Sequence, residues 1–287
     1  MQIIKALRPP QMLKNLLIFA PIISLGNYQI SEFITLLKIF FGFSCVVFST
    51  YILNDLIDIE SDKLHPVKKF RPVASGVMPL SKWTIISSIL FLIGILWLYI
   101  VDLTALVVAL IYCSVSISYS LKLKYFKFVD ILSISFLFIL RICIGAFPLS
   151  IPLSTHLITF VFFSSLGIVA GKKYSILNSE KIEGLKVKKF LENSYKPEEL
   201  LTIVKLSFIT SLTTYIIWIL FVKIELIDYF RISSLFLSFI CLLIFKYFFY
   251  INTKKSSTED IFNFIKSKSI LFLIVLLFTT SSIYGLL

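Results

Sequence analysis

The sequence predicts an all-α, polytopic membrane protein of about nine transmembrane helices, and three observations predict it. Hydrophobic residues make up 58% of the 287-residue chain and mean hydropathy is +0.94, a balance that a soluble domain with a wetted surface does not keep. Apolar stretches of about 20 residues, the length that crosses ~30 Å of hydrocarbon as helix, recur along the chain between short charged connectors. Basic residues gather in alternate connectors. No stretch is long and polar enough for a soluble domain, and no internal repeat or low-complexity linker interrupts the pattern. A single integral-membrane domain, residues 1–287, is the expected organisation.

In chain order the spans are expected at roughly 15–31, 33–53, 83–101, 103–121, 128–149, 153–171, 199–222, 231–251 and 269–286. The first follows Leu7-Arg8-Pro9-Pro10 with no small-residue cleavage site, so it is expected to stay attached, and its Pro21 and Gly26 predict a kink. The segments before span 1 and after spans 2, 4, 6 and 8 carry 22 of the 28 basic residues. Those after spans 1, 3, 5 and 7 carry only Lys223 and Arg231. By the positive-inside rule the N-terminus and the long connectors, 54–82 and 172–198, lie in the cytoplasm, and the C-terminus lies outside. The outer connectors are very short, so any active site is expected to face the cytoplasm. The localisation expected is the inner (plasma) membrane, multi-pass.

Several function classes drop out. The net charge of +12 belongs to membrane connectors and not to a nucleic-acid face, so no nucleic-acid partner is expected. Cys45, Cys113, Cys143 and Cys241 sit singly within apolar segments, with no C-x-x-C pair and no nearby histidine, and read as packing residues. His65 and His156 are isolated and read as structural.

The chemistry is concentrated where span 2 leaves the membrane, in Asn54-Asp55-Leu56-Ile57-Asp58-Ile59-Glu60-Ser61-Asp62. At ~100° per residue, Asn54, Asp55, Asp58 and Asp62 fall within about a 100° arc and Glu60 points the other way. Three carboxylates and an amide gathered there repel one another unless a cation sits among them. Hard oxygen ligands of this kind suit Mg2+, which keeps some waters and bridges to phosphate oxygens. The next residues, Lys63 to Pro72, supply a basic set that includes His65, Lys68, Lys69 and Arg71. Cations beside such aspartates read as a cradle for a diphosphate. Asp130 and Arg141 lie eleven residues apart on span 5, at a depth where charges face an interior cavity or a partner. The cytoplasmic half of span 4 is rich in hydroxyls, of which Tyr119 is a site candidate.

The N-D-x-x-D-x-x-x-D run from Asn54 to Asp62, at the end of the second of nine spans, resembles the first signature of the UbiA superfamily of intramembrane prenyltransferases. After span 6, where that superfamily usually carries a second aspartate cluster, this chain reads Ala170-Gly171-Lys172-Lys173-Tyr174-Ser175. Four further segments resemble the decaprenyl-phosphate phosphoribosyltransferase branch: Leu7 to Asn15, His65 to Pro72, Tyr119 to Lys124 and Gly171 to Tyr174. That resemblance implies transfer of a 5-phosphoribosyl group from phosphoribosyl diphosphate to a polyprenyl phosphate in the lipid bilayer. It assigns Asn54, Asp55, Asp58 and Asp62 to Mg2+ and diphosphate, with Asp58 and Asp62 as candidates to stabilise the ribose cation. Lys14, Lys68, Arg71, Tyr119, Lys122, Asp130, Arg141, Lys172 and Lys173 become substrate-binding candidates, most of them for phosphate groups.

The exchange of acid for base after span 6 fits a donor with a second phosphate at C5, which another acidic cluster would repel. Lys122, Lys172 and Lys173 read equally as positive-inside anchors, and Arg141 equally as a structural pair. The acceptor is already an anion, so no strong general base is needed, and Mg2+ stabilises the leaving diphosphate. Two other readings stand beside this one: a conventional prenyltransferase, which the first signature alone would favour, and a secondary transporter, which would place its site near mid-bilayer on repeated halves. A homo-oligomer is left open.

Overall fold

The computed structural model describes residues 9–25, 29–178 and 186–221, and every regular element among them is helical. A short helix α1 (Pro9–Met12) leads through a 3-10 segment (Leu13–Phe19) into α2 (Ala20–Leu25). There follow α3 (Ile30–Ile57), α4 (Ile59–Leu64), α5 (Leu80–Val101), α6 (Leu103–Leu121), α7 (Val129–Ala146), α8 (Thr155–Leu177), α9 (Lys186–Ser194) and α10 (Pro197–Phe221). Six helices, α3, α5, α6, α7, α8 and α10, are long and apolar enough to cross a membrane, and they match the expected second to seventh spans. The last two expected spans, 231–251 and 269–286, fall outside the described residues.

The expected first span opens as a 3-10 segment that passes into α-helix just ahead of its proline. Pro21 has no N–H to give and its ring crowds the carbonyl four residues back, so the preceding turn tightens and the Ala20 N–H bonds to the Leu17 carbonyl instead. The 3-10 stretch is Leu13–Phe19, with Asn15, Ile18 and Phe19 buried. Its backbone passes so close to α7 that a methyl group on Gly145 would overlap the Ile18 carbonyl oxygen. Small residues permit such close approach between membrane helices. Gly145→Val is therefore expected to push the first segment off α7, read as loss of monodisperse protein in detergent and a lower melting temperature.

The described residues fall into two compact units: those up to residue 158 together with 186–194, and 159–178 together with 195–221. In the first, α3 is the central helix and packs along α5, with a methyl at Gly94 placed 2.8 Å from the Gly42 carbonyl oxygen where the two cross. Its core joins Ile18, Ile39, Phe43, Val46, Tyr112 and Ile144. Outside that core, α5 exposes Ile85, Ile89, Leu92, Ile93, Leu96 and Ile100, an apolar outer face that suits hydrocarbon and not water. Asp102 is the whole connection between α5 and α6; its carboxylate caps α6 by accepting from the Ala105 N–H at 2.7 Å. That turn sends α6 back antiparallel to α5, so the end of α3, the start of α5, the end of α6 and the start of α7 share one end of the unit. In the second unit α8 and α10 pack through Gly167 against Phe208 and through a Ser164–Ser211 hydroxyl contact of 2.6 Å.

Candidate active site

Asp58 stands at a one-residue break between α3 and α4, with φ −92° and ψ 8°. The hydrogen-bond ladder continues across it, since Asp58 N–H donates to Asn54 and Asp62 N–H to Asp58, at 2.9 and 2.8 Å. Helical periodicity therefore survives the break, and the acidic residues keep a common side. Glu60 is exposed on the opposite side, where it pairs with Lys63 at 3.1 Å.

The four oxygen-bearing side chains divide into two pairs. Asp55 and Asp62 are both buried and both meet Arg71, whose Nη1 lies 2.6 Å from Asp62 Oδ2 and 3.3 Å from Asp55 Oδ1. Asn54 and Asp58 turn instead toward the end of α6. Ser120 Oγ donates to Asn54 Oδ1 at 2.8 Å, and Lys124 Nζ donates to Asp58 Oδ1. Among the described residues no three acidic, histidine or cysteine side chains, as they stand, form one metal-binding group. The donor set nonetheless fits a hard divalent ion: all are oxygens, and two buried carboxylates already converge on a single cationic nitrogen.

The loop carrying Arg71 is held from below and from within. Val73 packs with Ile52 of α3 and Trp83 of α5, all three buried. His65 is also buried, and its Nδ1 accepts from the Val67 and Lys68 N–H groups at 3.2 Å each, which folds the turn preceding Arg71. The structural role expected for this histidine fits that position. Lys68 contributes its backbone to the same turn and stands at the start of the 3-10 segment Lys68–Phe70.

Lys124, which sequence reasoning passed over in favour of Lys122, is brought to Asp58. Lys122 is exposed at the end of α6, while the 3-10 turn Leu123–Tyr125 carries Lys124 back to Asp58. Phe190 of α9 packs edge-on against the neighbouring Tyr125, with ring centres 6.2 Å apart. Tyr119 is half-buried on α6, with Asp58 and Asp130 within electrostatic reach. Asp130, fully buried in the first turn of α7, accepts the Ile131 N–H at 2.8 Å.

Arg141 lies apart from this group. It is 3% exposed and spends its donors on neutral acceptors: Asn15 Oδ1 at 3.2 Å, the Leu137 carbonyl at 2.7 Å and the Tyr112 hydroxyl at 2.7 Å. Asn15 in turn donates to Ser44 at 3.0 Å, so one polar node ties the 3-10 segment to α3, α6 and α7. Asp130 is not its partner. Lys14 sits beside this node, with Nζ 5.7 Å from the centre of the Phe138 ring that Arg141 also faces. Lys172 and Lys173 lie near the end of α8, in the second unit, and are described within it alone.

With this geometry in view, the family model described as "UbiA prenyltransferase family" matches residues 15–268. The chain belongs to the UbiA prenyltransferase family. This UbiA-family chain is 32% identical over 221 residues to a decaprenyl-phosphate phosphoribosyltransferase of Mycolicibacterium smegmatis, covering 75% of the chain and 69% of that protein. It is 31% identical over 196 residues to the protein of the same name in Mycobacterium tuberculosis, covering 67% of the chain and 65% of the relative's length. The match thus spans about two thirds of these relatives. Its fold is similar to that of a UbiA homolog from Archaeoglobus fulgidus solved with GPP and Mg2+, with TM-score 0.70 and 17% identity over 100% of this chain and 98% of that one. Family membership and six apolar helices make it a multi-pass membrane protein and an enzyme of the prenyltransferase type.

Proposed function

We propose that this chain transfers a 5-phosphoribosyl group from phosphoribosyl diphosphate to a membrane polyprenyl phosphate and releases diphosphate, with Mg2+ as cofactor. The observation that carries the reading is its similarity to two mycobacterial phosphoribosyltransferases at 31–32% identity. The exchange of an acidic cluster for Lys172 and Lys173 after the sixth expected span supports the same donor, which carries a second phosphate. The site belongs to a single domain, 1–287, in the inner membrane, with its N-terminus and its acidic group on the cytoplasmic side, where a soluble donor is found.

Asn54, Asp55, Asp58 and Asp62 would hold Mg2+, which when bound neutralises the diphosphate as it leaves C1. Arg71, Lys68 and Lys124 supply positive charge on the same side of the membrane. Asp58 and Asp62 are the candidates to stabilise the positive charge that develops on the ribose, through their negative charge. Tyr119 of α6 and the buried Asp130 of α7 are assigned to the substrate from the same end of the unit. Lys14, Lys122, Lys172 and Lys173 are assigned to phosphates of donor or acceptor, held as point charges and not as forks. The acceptor phosphate oxygen attacks C1 as an anion already, so no side chain is required to remove a proton.

The test is incubation of the purified protein and Mg2+ with radiolabelled phosphoribosyl diphosphate and polyprenyl phosphate, beside a second reaction offering a prenyl diphosphate and 4-hydroxybenzoate. Label is expected in the lipid phase of the first reaction and is expected to be lost on chelation. Label that stays aqueous while the benzoate is prenylated overturns the donor assignment.

A further inference from the structure

We propose that Arg71 and Lys124 compete with the divalent ion for the aspartate group, so that ion entry and the opening of these three ion pairs are one coupled event. The inference rests on the metal reading above and concerns what the two basic side chains do to it. Arg71 Nη1 pairs with both Asp55 Oδ1 and Asp62 Oδ2, at 3.3 and 2.6 Å. An ion held by those two oxygens would contend with this guanidinium for the same acceptor atoms, because both are cations drawn to the same carboxylates. Lys124 Nζ holds Asp58 Oδ1 in the same way from the opposite edge of the group. Together the two side chains bring two positive charges to three carboxylates, the same charge that one divalent ion brings. They are therefore its electrostatic equivalents, and adding the ion without moving them sets like charges against each other in a partly buried site.

Neither cation is lost to the site when it yields. Arg71 is fixed by the Val73 and His65 contacts of its loop, and Lys124 by the short 3-10 turn after α6, so both remain within a side chain's length of where they began. A diphosphate that arrives with the ion offers them a new partner. Ion binding is thus weak in isolation and strengthens when a diphosphate accompanies it.

The experiment is titration of the full-length protein in detergent with Mn2+ in phosphate-free buffer, with free ion followed by its electron paramagnetic resonance signal. Arg71→Gln and Lys124→Gln are each expected to bind Mn2+ about tenfold tighter than the unaltered protein, since each removes one competing charge. Arg71→Lys is expected to behave as the unaltered protein, and Asp62→Asn added to Arg71→Gln to abolish the gain. Affinity that is unchanged or weaker in both glutamine variants overturns the proposal. If lipid labelling depends on metal and the variants leave Mn2+ affinity unchanged, this inference alone falls. If no form binds Mn2+ and labelling proceeds without metal, the metal reading falls with it.

Discussion

Asp62→Asn is expected to lower the rate of transfer to lipid about a hundred- to a thousandfold, the scale on which a single preorganised electrostatic group contributes to catalysis. The amide keeps the shape of the carboxylate and an oxygen for Arg71, so the protein is expected to fold and melt as before. What disappears is one unit of negative charge in a buried position, 2.6 Å from the only guanidinium that the described loop brings there. With that charge gone the site holds a divalent ion less well. The loss should therefore be partly recovered by raising Mg2+, which a purely structural defect would not permit. A rate within a few-fold of the unaltered protein at limiting Mg2+ would remove Asp62 from the proposed metal set. Asp55→Asn is expected to follow the same pattern because it shares Arg71, and Asp58→Asn to differ from both by freeing Lys124 instead.

Arg141→Met is expected to lower the stability of the folded protein by roughly 2–4 kcal/mol, with the cost arising from the groups left behind. Interhelical hydrogen bonds in membranes average only ~0.6 kcal/mol each, so the bonds themselves contribute little. Removing the guanidinium, however, leaves Asn15 Oδ1 and the Tyr112 hydroxyl buried among apolar side chains without the donor that satisfies them. Methionine fills some of the volume and none of that need. Arg141→Lys separates the two roles the sequence allowed. An ammonium keeps the charge but cannot reach three acceptors in three directions as the planar fork does. If Arg141 fastens the helices, this variant melts lower and keeps its KM for both substrates. Unchanged melting with a raised KM would return Arg141 to the substrate.

The helical wheel of the acidic run was readable in advance in more detail than its 100° arc suggests. At ~100° per residue Asn54 and Asp58 share one edge of that arc, and Asp55 and Asp62 share the other. The two edges are the two pairs found, one on Ser120 and Lys124 and the other on Arg71. Lys122 and Lys124 were chemically indistinguishable in the sequence. Only the backbone at Lys122, which leaves the helix at φ −136° and starts a tight turn, decides that the second lysine comes back to the aspartates. The node of Asn15, Ser44, Tyr112 and Arg141 was legible only as a buried arginine. Its partners lie 29 and 126 residues apart in sequence, and no local periodicity relates them.

What the sequence determined by itself is what depends on composition and on a helix's own period: the membrane as solvent, the spans from the second to the seventh, and the acidic face at the end of α3. Each follows from interactions within about one turn of helix or from the cost of placing apolar or charged residues in the wrong solvent. What only the tertiary structure decided is which cation answers which carboxylate, and that Arg141 turns to neutral groups and not to Asp130. Those choices depend on where one helix ends against another, and a side chain's reach is short enough that a shift of two residues at such an end changes the partner.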